Sequence, residues 1–191
     1  MLSSHSLSCF GFIALLLGTA PVLAAQYTQA PGSVLAFATQ YDGQIVVGKF
    51  QQFQTQLTFD PNDLDHAKLD VSIVVSSAQT GNAERDSTLR GKDFFNAEAV
   101  ATAHYTADHF RALDKDHYAI NGTLELNGIS KPVPLSMTLT QNGNQVTLRA
   151  KGSIPRLTFN IGRGEWADTQ LIPNAVAVST KVILHSSLPS P

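Results

Sequence analysis

Apolar residues recur at every second position over most of this chain, and that period builds strands with one buried face. The clearest stretch follows Asp42-Gly43. Val46, Gly48 and Phe50 share one parity, while Phe53, Thr55, Leu57 and Phe59 share the other. A regular strand cannot change parity and keep both sets inside. A bulge or bend is therefore expected at Gln51-Gln52. Pro61-Asn62-Asp63 then ends the strand.

The pattern continues with Leu69, Val71, Ile73 and Val75, and resumes at 101–110, where Ala103 and Tyr105 point inward. Tyr118, Ile120, Gly122, Leu124 and Leu126 alternate up to Asn127-Gly128, a tight primed turn. Val133, Leu135, Met137 and Leu139 alternate back, and a second turn at Asn142-Gly143 leads to Val146, Leu148 and Ala150. The last strand carries Val176, Val178, Thr180, Val182 and Leu184. With a strand over 33–41, the count is about eight, the usual size of a closed antiparallel barrel that holds a small ligand. The segment 82–90 breaks the alternation. Asn82 can cap a short helix that carries Glu84, Arg85, Asp86 and Arg90, and Gly91 can stop it. The fold class is all-β with one short helix. Its closely spaced acid and base could orient a polar head group, but the reading preferred is an ion-pair network that holds the helix over a barrel end.

Residues 1–25 read as a secretory signal peptide. The apolar run 10–18 is too short to span a bilayer, and small residues follow at Ala20, Ala24 and Ala25. Residues 26–191 then form one exported domain with a periplasmic location. The single cysteine, Cys9, lies in the leader, so the mature chain is read as having neither a disulfide nor a thiolate site. Lys and Arg total 13 against 15 Asp and Glu, which gives no electrostatic footprint for nucleic acid.

No catalytic constellation is legible: HExxH and GxSxG are absent, and Gly162-Arg163-Gly164 lacks the third glycine of a dinucleotide loop. No cofactor is implied. His104 and His109, five apart on one strand, are expected on opposite faces, and no metal site is expected among the histidines. What remains is an apolar inventory. Phe50, Phe53, Phe94, Phe95, Leu124, Leu126 and Met137 are assigned inward or near a barrel end, and Trp166 either lines a mouth or plugs an end. Small inward residues (Gly48, Ala103, Gly122, Ala150) lean towards a cavity, because bulky partners are missing there.

Leu57-Thr58-Phe59-Asp60, then Asn82-Ala83-Glu84-Arg85-Asp86, Leu89-Arg90 and Asp93-Phe94-Phe95, stand in one order with Gly122-Thr123-Leu124, Leu126-Asn127-Gly128 and Lys131-Pro132-Val133. In that order and spacing the chain resembles the YceI-like family of exported lipid-binding proteins, from about residue 26 to 186. The resemblance implies an extended lipocalin-like barrel with an apolar tunnel. The implied ligand is a polyisoprenoid or another long-chain amphiphile such as a quinone. The eight residues from Phe50 to Trp166 named above are the candidate ligand-binding set. Two readings follow. One is a periplasmic carrier that sequesters an isoprenoid and touches a membrane transiently. The other is an accessory module of a membrane cytochrome complex, since the 162–166 segment resembles a branch in which some members are joined to haem-bearing domains. The oligomeric state is open, a homodimer included. An enzyme acting on a sequestered lipid would need acid-base residues inside the barrel, and the inward set holds almost none.

Overall fold

The computed structural model describes residues 24–143 and 145–186. The leader assigned to 1–25 falls outside the described residues up to residue 23. Ala25 already begins the first strand, opposite Phe59.

Among the described residues eleven strands form one sheet: β1 (Ala25–Gln29), β2 (Val34–Tyr41), β3 (Gln44–Phe50), β4 (Phe53–Phe59), β5 (Lys68–Val74), β6 (Ala78–Gln79), β7 (Thr102–Ala112), β8 (His117–Leu126), β9 (Ile129–Asn142), β10 (Gln145–Pro155) and β11 (Ala175–Ser186). β1 and β2 both run antiparallel to β11, so they are two pieces of one long strand broken at 30–33. β3 and β4 are the halves of the next, and β5 and β6 of the third, since β6 pairs with β3 and β5 with β4. With β7 to β11 these make an eight-stranded up-and-down barrel, closed by the pairing of β1 with β11. Closure removes the open sheet edges between which an antiparallel meander would otherwise aggregate.

The expected break at Gln51-Gln52 is a corner between β3 and β4, and it lets both apolar parities face inward. Asn127 and Gly128 both take positive φ (52° and 74°) between paired Leu126 and Ile129, the geometry of a primed two-residue turn. That turn fixes the register of β8: Leu124 and Leu126 are buried, while Thr123 and Glu125 are exposed. The second hairpin turns one residue later than expected, because Asn142 is still paired with Gln145.

β7 departs from the sequence reading. Its register shifts between Ala107 and His109. Ala103, Tyr105 and Ala107 are buried before the bulge, and Phe110 turns inward after it to meet Phe59. His104 and His109, expected on opposite faces, therefore fall on the same outer parity. One extra residue is enough to reverse every later side chain.

Asn82 caps the helix α1 (Ala83–Arg90) as expected, its Oδ1 accepting from the Arg85 amide at 2.9 Å. The expected ion-pair network is not what anchors it. Among the described residues no ion pair involves α1. Instead Asp86 accepts from the amide and hydroxyl of Thr80 at 2.8 and 2.6 Å, and Arg85 Nε donates to the same hydroxyl at 2.8 Å. One threonine thus ties two oppositely charged side chains to the end of β6.

The inward glycines also need correcting. Gly48 and Gly122 do not border empty space, because aromatic rings lie across them. A Cβ at Gly48 would stand 2.1 Å from the Phe37 ring. One at Gly122 would stand 2.4 Å from the Tyr105 ring and 2.6 Å from the Thr106 carbonyl oxygen. Gly122→Ala should accordingly cost about 1–3 kcal/mol in urea unfolding, since backbone and ring must both move. An unchanged midpoint would show that the ring can swing aside freely.

Candidate functional site

Half of the barrel is solid. Phe59 packs edge-on to Tyr118, with centroids 5.1 Å apart, and Leu57, Ile120, Met137 and Leu184 are fully buried around them. The other half is hollow and encloses a cavity of about 480 Å³. Its strand walls are mostly apolar: Leu69, Val71 and Ile73 from β5, Ala103 and Tyr105 from β7, Leu148 and Ala150 from β10, and Val176, Val178 and Val182 from β11, with Thr39, Gln40, Thr55 and Thr180 among them. Glu84, Arg85, Thr88 and Leu89 of α1 border it, as do Tyr41 and Val46 of the β2–β3 hairpin and Ile161, Trp166 and Ile172 of the segment before β11. That volume lies within the usual range for small-molecule sites, roughly 300–1,000 Å³.

Six of the eight candidate residues stand on this wall: Phe50, Phe94, Phe95, Leu124, Leu126 and Trp166. The aromatic ones fall into two ring clusters. Phe50 meets Phe95 at 5.7 Å and Phe37 at 5.5 Å, and Trp166 meets Phe94 at 5.5 Å and Tyr41 at 6.3 Å. The other two do not. Met137 shares the inward parity but lies in the solid half, opposite Tyr118. Phe53, the first residue after the corner, is not on the cavity wall. It is half-buried against the core, and its carbonyl accepts from Gln29 Nε2.

The segment 161–173 is held by a residue that parity did not single out. Arg156 is 2% exposed and has no carboxylate partner among the described residues. Its guanidinium donates to main-chain carbonyls instead: Nη1 to Ile161 (3.0 Å) and Gly162 (3.2 Å), Nη2 to Ile172 (2.7 Å) and, at 3.5 Å, to Asp168, and Nε to Pro173 (3.1 Å). Burial lowers its pKa from the ordinary value. Gly162 takes φ +78°, and a Cβ there would fall 2.3 Å from Nη1, so the glycine of this segment serves the close approach of the arginine. The Gly162 and Arg163 amides donate to Asp93 O, which joins the segment to Phe94.

Polar groups on the wall are few. Tyr105 donates its hydroxyl to Val133 O at 3.0 Å, and burial pushes its pKa up to about 12, so it stays a donor at neutral pH. Thr39 and Thr55 each have a buried hydroxyl without a hydrogen-bond partner among the described residues. No group of three or more His, Cys, Asp or Glu among the described residues is placed to hold a metal ion.

Known proteins share this architecture. A UPF0312 protein of Photorhabdus laumondii is 34% identical over 157 residues, 77% of this chain and 81% of its own length. One from Serratia proteamaculans is 35% identical over 158 residues, 78% and 82% of the two chains. The crystal structure of BcnA from Burkholderia cenocepacia superposes with a TM-score of 0.76 at 26% identity, covering 79% of this chain and 95% of that one. A polyisoprenoid binding domain from Saccharophagus degradans has the same fold at 15% identity, with a TM-score of 0.69 over 85% of this chain and 99% of that one. The YceI-like domain model matches residues 28–186, which is nearly the whole described barrel. The chain therefore belongs to the YceI-like family.

Proposed function

We propose that this protein binds a long-chain amphiphilic lipid of isoprenoid type in the hollow half of its barrel and carries or sequesters it after export. The observation that supports this most is the cavity itself, about 480 Å³ walled by valine, leucine, isoleucine and aromatic side chains. Each methylene moved from water to such a wall contributes about 0.8 kcal/mol, so a tail is retained without a strong polar anchor. The described binding activity of the Saccharophagus degradans domain supports the same ligand class. A periplasmic location rests on the leader pattern of residues 1–25, and lipid transfer would involve brief contact with a membrane.

Trp166 is the only tryptophan in the sequence and stands on the cavity wall, so it reports occupancy directly. Titrating the delipidated mature protein with a long-chain prenol should shift its emission to saturation, and native mass spectrometry should show one added mass. An unchanged spectrum with only ligand-free protein would refute the reading. It would turn attention to the alternative of an accessory module that works through its outer surface.

A further inference from the structure

The cavity is not apolar all the way down. Thr55 is 1% exposed and stands on the wall, and its hydroxyl has no hydrogen-bond partner among the described residues. It is the only β4 residue on the wall. The next inward residue of that strand, Leu57, is fully buried in the solid half. Thr55 therefore marks the floor. Its surroundings there are hydrocarbon: Val71 lies directly opposite on β5, and Leu69 and Leu124 stand on the same wall. Of the other threonines on the wall, Thr39 on β2 is likewise without a hydrogen-bond partner among the described residues, and Thr180 donates to Val34 O. The Tyr105 hydroxyl is bound to Val133 O, and Gln29 Nε2 to Phe53 O. Gln29 Oε1 is itself without a partner but is not on the wall.

A buried hydroxyl left unpaired is costly, and valine has nearly the same shape without that cost. A site built only to hold a hydrocarbon tail gains nothing from threonine at its floor. We propose that Thr55 Oγ1 is the hydrogen-bonding partner of an oxygen on the ligand, so that the oxygen-bearing end of the amphiphile goes in first and its tail runs back to the mouth. This rests on the lipid-binding reading and specifies it: the ligand has a carbonyl, ether or hydroxyl oxygen at its deep end. A ring carrying such oxygens, as in a benzoquinone, also suits the aromatic rings on the wall.

The test uses two probes with the same tail: a decyl-substituted dimethoxymethylbenzoquinone and decylbenzene. Affinities are measured by equilibrium dialysis for wild type, Thr55→Val and Thr55→Ser. The ratio of quinone to hydrocarbon affinity should fall about three- to tenfold in Thr55→Val, the size expected of one net hydrogen bond, and be retained in Thr55→Ser. Ligand-free Thr55→Val should melt no lower than wild type, because an unpaired hydroxyl has been replaced by a methyl. If both probes bind but the ratio does not change, or if the ligand-free variant melts lower, the role of Thr55 is refuted and the lipid-binding reading stands. If neither probe binds wild type, both fail together.

Discussion

Arg156→Met should destabilise the protein by about 3–5 kcal/mol. The side chain donates to five carbonyl oxygens between Ile161 and Pro173, from a position 2% exposed. Methionine fills much of the same volume and supplies no donor. Each carbonyl left buried without a partner costs about 1–3 kcal/mol, and part of that is recovered where the segment opens to water. The opening should be local: amide exchange should accelerate over 160–173, and Trp166 emission should move to the red. Arg156→Lys should rescue only a fraction, because an ammonium cannot span carbonyls that a guanidinium reaches from three nitrogens. A loss below about 1 kcal/mol in urea unfolding would contradict this account.

Ala103→Phe should abolish most lipid binding and leave the fold intact. Ala103 is buried on β7 and faces the cavity, so a ring there enters space already present rather than a packed core. It buries new apolar surface, and stability should stay within about 1 kcal/mol of wild type or rise. A ring that displaces two or three methylenes of a bound tail removes about 2 kcal/mol of binding, roughly thirtyfold in Kd. The same Trp166 titration measures it. Wild-type affinity in Ala103→Phe would place the ligand elsewhere on the molecule.

These two substitutions mark the boundary between what was legible and what was not. Ala103 could be read as an inward small residue from alternation alone. Arg156 could not: it sits just past the end of β10, where a 3-10 turn (Arg156–Phe159) replaces strand geometry and the parity rule stops applying. The glycine in Gly162-Arg163-Gly164 was visible, but its reason, an arginine nitrogen where a Cβ would be, is a contact between residues six apart in a folded turn. Phe53 and Met137 lie off the cavity wall for a reason that alternation does not carry. Parity says which face of a strand a residue is on, but not whether that part of the barrel is hollow.

The sequence by itself determined the period-two faces, the Asn127-Gly128 turn that sets the β8 register, the corner at Gln51-Gln52 and the Asn82-capped helix. Each is a local consequence of side-chain alternation or of turn and cap chemistry, and together they lead to a closed eight-stranded barrel. Only the tertiary structure decided where that barrel is filled and where it is empty. Phe59, Tyr118 and Phe110 converge from three strands to seal one half, while Phe37 and Tyr105 fold over Gly48 and Gly122. The space left beside Thr55 is the remainder after those long-range contacts are made. Ring packing across a closed sheet depends on register, bulge and rotamer at once, and no window of neighbouring residues contains all three.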